Sequence, residues 1–311
     1  MKKILLFVLS VLCFEFSFAE KRALVVGIGK YPVETGWDII NGDKDIPIVC
    51  DYLKFNGFEP QNIVLLKNEE ATGRAIRDAF AKLIGDATEG DIIYVHFSGH
   101  GQQITDLSGD EKDDCWDESW VAYDACIEYK EGIYEGENHI LDDQLNVWLS
   151  NLRNKVGPTG KITVVADACH SGTLSSWIDI GYSILQNSTA FIPSPFKPES
   201  FDDKNWPKNF ITRGGRDVFM IPKGKNILTS ELMKVEWVFI SACQPWQCNR
   251  EHKGVGSLTY AISLYKHLLS NKKYSEVVDS IKATMKNKLS LPTAQTPYIE
   301  EPETINQQTI F

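Results

Sequence analysis

Apolar positions come in short unbroken runs separated by segments with three- to four-residue spacing. Residues 22–28, Arg-Ala-Leu-Val-Val-Gly-Ile, predict a first strand buried on both faces. Asn41-Gly42-Asp43-Lys44-Asp45 reads as a loop, and 46–53 as a helix with Pro47 in its first turn. Asn62–Leu66 is a second strand, and Thr72 is placed to cap a helix whose apolar stripe is Ile76, Ala79, Phe80 and Leu83. Strand three is Ile92–Phe97. A helix begins near Asp142-Asp143 and carries Leu145, Trp148, Leu149 and Leu152, and strand four is Ile162–Ala166. Between strand three and that helix, the carboxylate-rich stretch from Asp106 to Asp124 reads as an exposed loop. After a proline-punctuated stretch order resumes with a strand at 236–240 and helical patterns at 258–269 and 274–289. This alternation predicts one α/β domain with a mostly parallel sheet and helices on both faces.

The two strongest strands end in polar turns that carry reactive groups. Strand three runs into Ser98-Gly99-His100-Gly101 and strand four into Asp167-Ala168-Cys169-His170-Ser171-Gly172. In an open parallel sheet side chains converge outside the carboxyl ends of the strands. A thiol becomes a working nucleophile when a base stands beside it. His100 and Cys169 are therefore the candidate catalytic pair, with His170 a competing imidazole that lies beside the nucleophile in sequence.

Composition narrows the function. The chain has 311 residues and a formal net charge of −10, which argues against nucleic-acid partners. Residues 1–19, a basic start followed by a short apolar core and Ser17-Phe18-Ala19, read as a signal peptide. The expected protein is secreted or periplasmic, and free of the membrane once the signal is removed. Cysteine spacing shows neither a disulfide framework nor a zinc set.

The two turns, together with Ser241-Ala242-Cys243-Gln244, Gln247 to Glu251, Gly256-Ser257-Leu258-Thr259 and Gln295-Thr296-Pro297, resemble the caspase-like cysteine peptidases, in particular the bacterial metacaspase-type branch. The resemblance implies a caspase-haemoglobinase-like fold. Residues 20–173 then correspond to the large-subunit region with the dyad, 174–235 to a long loop or processing linker, and 236–311 to the small-subunit region of the same domain. It implies Cys169 as nucleophile, His100 as its base and proton donor, and the amides of Gly101 and Cys169 as the oxyanion hole. Asp45, Ser98 and Asp167 match an acidic pocket for the basic residue before the cut in peptide or protein substrates; the alternative for Asp45 is a helix cap.

No cofactor is required for such chemistry. Calcium is implied through Asp117, Asp142 and Asp143, with Ser176 or Asp179 near a further family position; Asp142-Asp143 also suits a helix start. Arg213 and Arg216, around Gly214-Gly215, are candidate processing sites in the long loop, which reads equally as a plain insertion. The rival readings are a silent caspase-fold binding or sensing protein, and a metal hydrolase built on His96, His100 and the acidic loop.

Overall fold

The computed structural model describes residues 19–106, 116–169, 213, 219–221, 236–244, 247–289, 295–302 and 309–311. Strands β1 (Lys21–Gly27), β2 (Ile63–Lys67), β3 (Ile92–Ser98), β7 (Lys161–Asp167), β8 (Val238–Ser241) and β11 (Tyr298–Glu300) form one six-stranded sheet. A second sheet holds β4 (Gly101–Thr105), β5 (Trp116–Val121) and β6 (His139–Leu141), and β9 (Glu251–His252) pairs with β10 (Val255–Gly256). The helices are α1 (Asp45–Phe55), α2 (Gly73–Asp86), α3 (Asp142–Val156), α4 (Ser257–Ser263) and α5 (Tyr274–Asn287).

The main sheet runs in the order β11-β8-β7-β3-β1-β2 and is parallel except at β11. Alternation along each buried strand divides the core. Leu24, Val26, Ile93, Val95 and Phe97 face α2 and α3, while Ala23, Val25, Tyr94 and Val165 face α1, α4 and α5. The apolar runs of β1, β3 and β7 thus serve two cores, one on each face. The chain adds β2 on one side of β1 and β3 on the other, a switch point at which clefts open outside the carboxyl ends of strands.

Most expected elements form near their expected places, and Thr72 Oγ1 accepts from Ala75 N at 3.1 Å as the cap of α2. Two differ. The segment expected as an exposed loop to Asp124 contains β5, whose six residues are all buried; Trp120 stacks on Phe97 with ring centroids 4.7 Å apart. Its aromatic and apolar residues outweigh its carboxylates. The helix expected at 258–269 is α4 only to Ser263, after which Tyr265 N bonds Ile262 O and Leu268 N bonds Tyr265 O. Those three-residue spans are turns, and they still bury Leu269.

Candidate active site

Register places the site. β3 and β7 are neighbours, with Ser98 opposite Asp167, so both side chains leave the same face of the sheet. Two residues beyond each stand His100 and Cys169. The turns touch: a Cβ on Gly101 would lie 1.8 Å from the Cys169 carbonyl oxygen, so only glycine permits this approach. α1 and α4 begin at the same edge and bring Asp45 and Thr259.

His100 is held from three sides. Its ring stacks on Trp37 at 4.8 Å and lies 5.0 Å from the ring of Tyr31. The Tyr31 hydroxyl accepts from His100 N at 3.0 Å and donates to the Val121 carbonyl at 3.1 Å. Nε2 is 2.9 Å from the Asp38 carbonyl. A carbonyl only accepts, so Nε2 carries the proton and Nδ1 keeps its lone pair. Nδ1 is buried with no hydrogen-bond partner among the described residues. Burial lowers the pKa to about 4 against the opposing pull of the Asp38 carbonyl. The ring is therefore neutral, with a free acceptor, at ordinary pH.

Cys169 Sγ accepts from Asn249 N at 2.9 Å. Burial, then neighbouring Cys248 and Cys243, push its thiol well above the usual range. The resting pair is thus thiol and imidazole, and the sulfur needs a base to become a nucleophile.

Beside this pair lies Arg213, wholly buried. Its Nη1 donates to Asp45 Oδ2 at 2.7 Å, Ser98 Oγ at 2.9 Å and the Asp167 carbonyl at 3.1 Å, and its Nε donates to Glu251 Oε1 at 3.2 Å. Asp167 Oδ1 is 3.8 Å from Nη1. The carboxylates are themselves fixed. Asp45 accepts from Gly256 N at 2.9 Å and from the Ser98 hydroxyl. Asp167 accepts from Asn249 Nδ2, Thr259 N and Thr259 Oγ1, each at 2.7 Å. Glu251 accepts from the backbone and side-chain nitrogens of Asn41.

Burial opposes the guanidinium's charge, yet Asp45, Asp167 and Glu251 outweigh it and hold its pKa above the ordinary value. Burial likewise pushes the Asp45 carboxyl up, Arg213 pulls it back, and Asp167 adds to the rise. Without a cation this cluster of acids would be costly to keep ionised.

The backbone of Arg213 is bound as well. Its carbonyl oxygen accepts from Cys169 N at 2.7 Å and Gly101 N at 3.4 Å, and its amide donates to the Asn249 carbonyl at 3.3 Å. One residue therefore has its side chain on the acids and its carbonyl at the amide of the cysteine. Two amides aimed at one carbonyl oxygen can stabilise negative charge developing there.

His100, Cys169, Gly101, Asp45, Ser98, Asp167 and Arg213 thus come together; Arg216, His170, Ser176 and Asp179 lie outside the described residues. Asp45 opens α1, but its carboxylate bonds Gly256, Ser98 and Arg213, and the N-cap residue is Lys44. Asp117 lies in β5, and Asp142 and Asp143 open α3 just beyond β6, which pairs with β5 at Ser119 and Leu141. Among the described residues no group of three His, Cys, Asp or Glu side chains could hold a metal ion.

His96 points into the core, with Nε2 3.3 Å from Thr259 Oγ1 and Nδ1 3.4 Å from both Tyr52 and Tyr94 hydroxyls, so it is no partner of His100 in a metal set. Glu251, Asn249, Asn41, Thr259, Tyr31, Trp37 and the Asp38 carbonyl join the site without having been singled out from sequence. For Glu251, Asn249 and Thr259 a signal existed, since they lie in the Gln247–Glu251 and Gly256–Thr259 segments that carry part of the resemblance.

Residues 21–177, just over half of the chain, match the family model described as metacaspase, peptidase C14 domain. Metacaspase-7 of Arabidopsis thaliana is 34% identical over 180 residues, which cover 56% of this chain and 40% of that protein. Metacaspase-1 of Candida albicans is 25% identical over 94% of this chain and 67% of its own length. The chain thus spans about two-fifths of the former relative and two-thirds of the latter. Among solved structures, protein GSU0716 from Geobacter sulfurreducens superposes with a TM-score of 0.60 at 19% identity, covering 94% of this chain and 99% of that one. Caspase-1 from Spodoptera frugiperda superposes with a TM-score of 0.51 at 9% identity, covering 91% and 86%. At those identities the structures speak for the fold, which is caspase-like α/β. The chain belongs to the metacaspase family of peptidase C14.

Proposed function

We propose that this chain is an endopeptidase that cuts after arginine or lysine with the Cys169–His100 dyad, and that its own Arg213–Gly214 bond is its first substrate. As Sγ attacks the Arg213 carbonyl carbon, its proton passes to Nδ1 of His100. The oxyanion is held by the amides of Cys169 and Gly101. Collapse expels the Gly214 nitrogen, which takes the proton from His100 and leaves a thioester. Water, deprotonated by the same imidazole, then releases the Arg213 carboxylate and the free thiol.

One observation carries this reading: Arg213 has its guanidinium on Asp45, Ser98 and Glu251 and its carbonyl on the amide of Cys169 at once. While it sits there no other basic residue can enter. The segment ending at Arg213 must leave before the enzyme acts on other peptides, so self-processing precedes turnover.

For calcium the proposal is stimulation only, with Asp117, Asp142 and Asp143 supplying carboxylate oxygens; turnover with calcium against turnover with a chelator tests it. A leader of residues 1–19 would send the chain out of the cytoplasm, and the mature N-terminus checks that. The main test is a panel of fluorogenic peptides with arginine, lysine or aspartate before the cut. We expect arginine and lysine peptides to be cleaved, and the activity to vanish in Cys169→Ala. A preference for aspartate would overturn the pocket, and no turnover by the wild-type chain, with its Arg213–Gly214 bond left intact, would favour the rival, a catalytically silent caspase-fold binding or sensing protein.

A further inference from the structure

The strand that begins at the oxyanion hole also binds a second piece of the same long loop. β4 pairs with β5 along one edge. Its other edge receives residues 219–221: Phe219 N donates to Gln103 O at 2.9 Å, Thr105 N to Phe219 O at 3.1 Å, and Ile221 N to Thr105 Oγ1 at 2.9 Å. Ile104 and Phe219 form a parallel bridge. Side chains alternate as in a strand, since Phe219 and Ile221 are buried while Met220 is half exposed.

The Phe219 ring is completely buried in a pocket of aromatic groups. Its centroid is 4.8 Å from that of His139, 5.7 Å from Tyr134, which meets it edge-on, and 6.1 Å from Tyr129. Gly136, at φ +107°, completes the wall, and a Cβ there would come within 3.2 Å of the ring. The floor is fixed by bonds that do not involve Phe219. Tyr134 Oη is 2.8 Å from His139 Nδ1, His139 Nε2 is 2.9 Å from Gln102 Oε1, and Gln102 Nε2 donates to the Ile127 carbonyl at 3.0 Å. The walls are thus tied down by the enzyme's own strands and the loop between β5 and β6.

We propose that this edge of β4 and its aromatic pocket form a binding site for the peptide that follows the scissile bond, and that the site takes an extended segment bearing an aromatic side chain. The proposal rests on Arg213 marking the cut, because Phe219 is then the sixth residue beyond it on the leaving side. Strand addition supplies main-chain hydrogen bonds whatever the sequence, while a pocket for alternate side chains supplies selectivity. Gly101 at the start of β4 receives the Arg213 carbonyl and Gln103–Thr105 receive Phe219, so a single strand addresses both sides of the bond. The loop is the built-in occupant. Other substrates with an aromatic residue at a similar distance compete with it.

The test uses the full-length chain carrying Phe219→Ala, which vacates the pocket. Two internally quenched peptides share arginine and differ only in phenylalanine or alanine six residues after it; a short arginyl reporter has no residues beyond the cut. In Phe219→Ala we expect kcat/KM for the phenylalanine peptide to exceed that for the alanine peptide by about tenfold. In the unmutated, processed chain the ratio should be smaller, because its own Phe219 competes. Phe219→Leu, which keeps an apolar filler where the alanine variant fails to fold, should give the same ordering. Equal rates for the two peptides in a variant that cleaves the short reporter would overturn the downstream site alone. Failure to cleave the reporter as well would instead overturn the arginine reading on which it stands.

Discussion

Two acidic groups in this chain meet different fates. Asp45, Asp167 and Glu251 come from the start of α1, the end of β7 and the first residue of β9, and all three surround one buried guanidinium. Asp117, Asp142 and Asp143 come from β5 and the start of α3, and the described residues around them make no metal-holding cluster. The second group is the denser in sequence, yet the first is the built pocket. Convergence of strand ends and helix starts at the carboxyl edge of a parallel sheet counts for more than local carboxylate density.

Substitutions in the pocket and dyad should cost the most activity. Cys169→Ala should lower turnover of arginine peptides on the order of 10⁴-fold or more, in a stopped or continuous fluorescence assay. Asp45→Asn, which removes the charge from the shortest carboxylate contact to the guanidinium, should lower kcat/KM for arginine peptides by about a hundredfold. Asp143→Asn, measured the same way without calcium, should change it by less than about twofold. Comparable losses at Asp45 and Asp143 would erase the distinction between the two regions.

On the pocket side, Glu251 contacts the guanidinium away from Asp45. It accepts from Nε of Arg213 at 3.2 Å, a donor that lysine does not have at that depth. A lysine ammonium is a point charge and cannot span the same acceptors as the planar fork. The processed enzyme should therefore prefer arginine over lysine, and Glu251→Gln should narrow that preference by about tenfold through a selective loss on arginine. Equal losses on both peptides would assign Glu251 a merely structural part.

Titration of His100 gives a smaller but distinctive effect. Its pKa is pushed down to about 4 by burial in the self-bound state, so the imidazole accepts a proton above that value and loses the ability as pH falls through it. Single-turnover cleavage of the intact chain should therefore hold its rate from neutral pH to about 5 and fall only below that. An acid limb near the ordinary histidine value, at about 6.5, would show that His100 is solvated when it works.

The sequence made much of this visible, and the reasons are physical. Buried strands such as β1, β3 and β7 are continuous apolar runs, and the polar turns that end them stand out, so His100, Cys169, Ser98 and Asp167 can be located from the sequence. Glu251 and Asn41 are 210 residues apart and Asn249 stands 80 beyond Cys169, so no local pattern links them. Tyr31, Trp37 and the Asp38 carbonyl act through shape and a backbone atom, which a residue pattern does not encode. β5 was hidden because its acids, Asp117 and Glu118, are buried with its tryptophans, against the usual tendency of carboxylates to stay in solvent.

The central claim is that the chain holds Arg213 as a substrate. Intact mass and N-terminal sequencing of the purified wild-type protein and of Cys169→Ala, after identical incubation, test it most directly. We expect a new N-terminus at Gly214-Gly215-Arg216 in the wild type and an uncut Arg213–Gly214 bond in Cys169→Ala. A wild-type chain that stays intact at that bond, or a cut there that persists in Cys169→Ala, would contradict it.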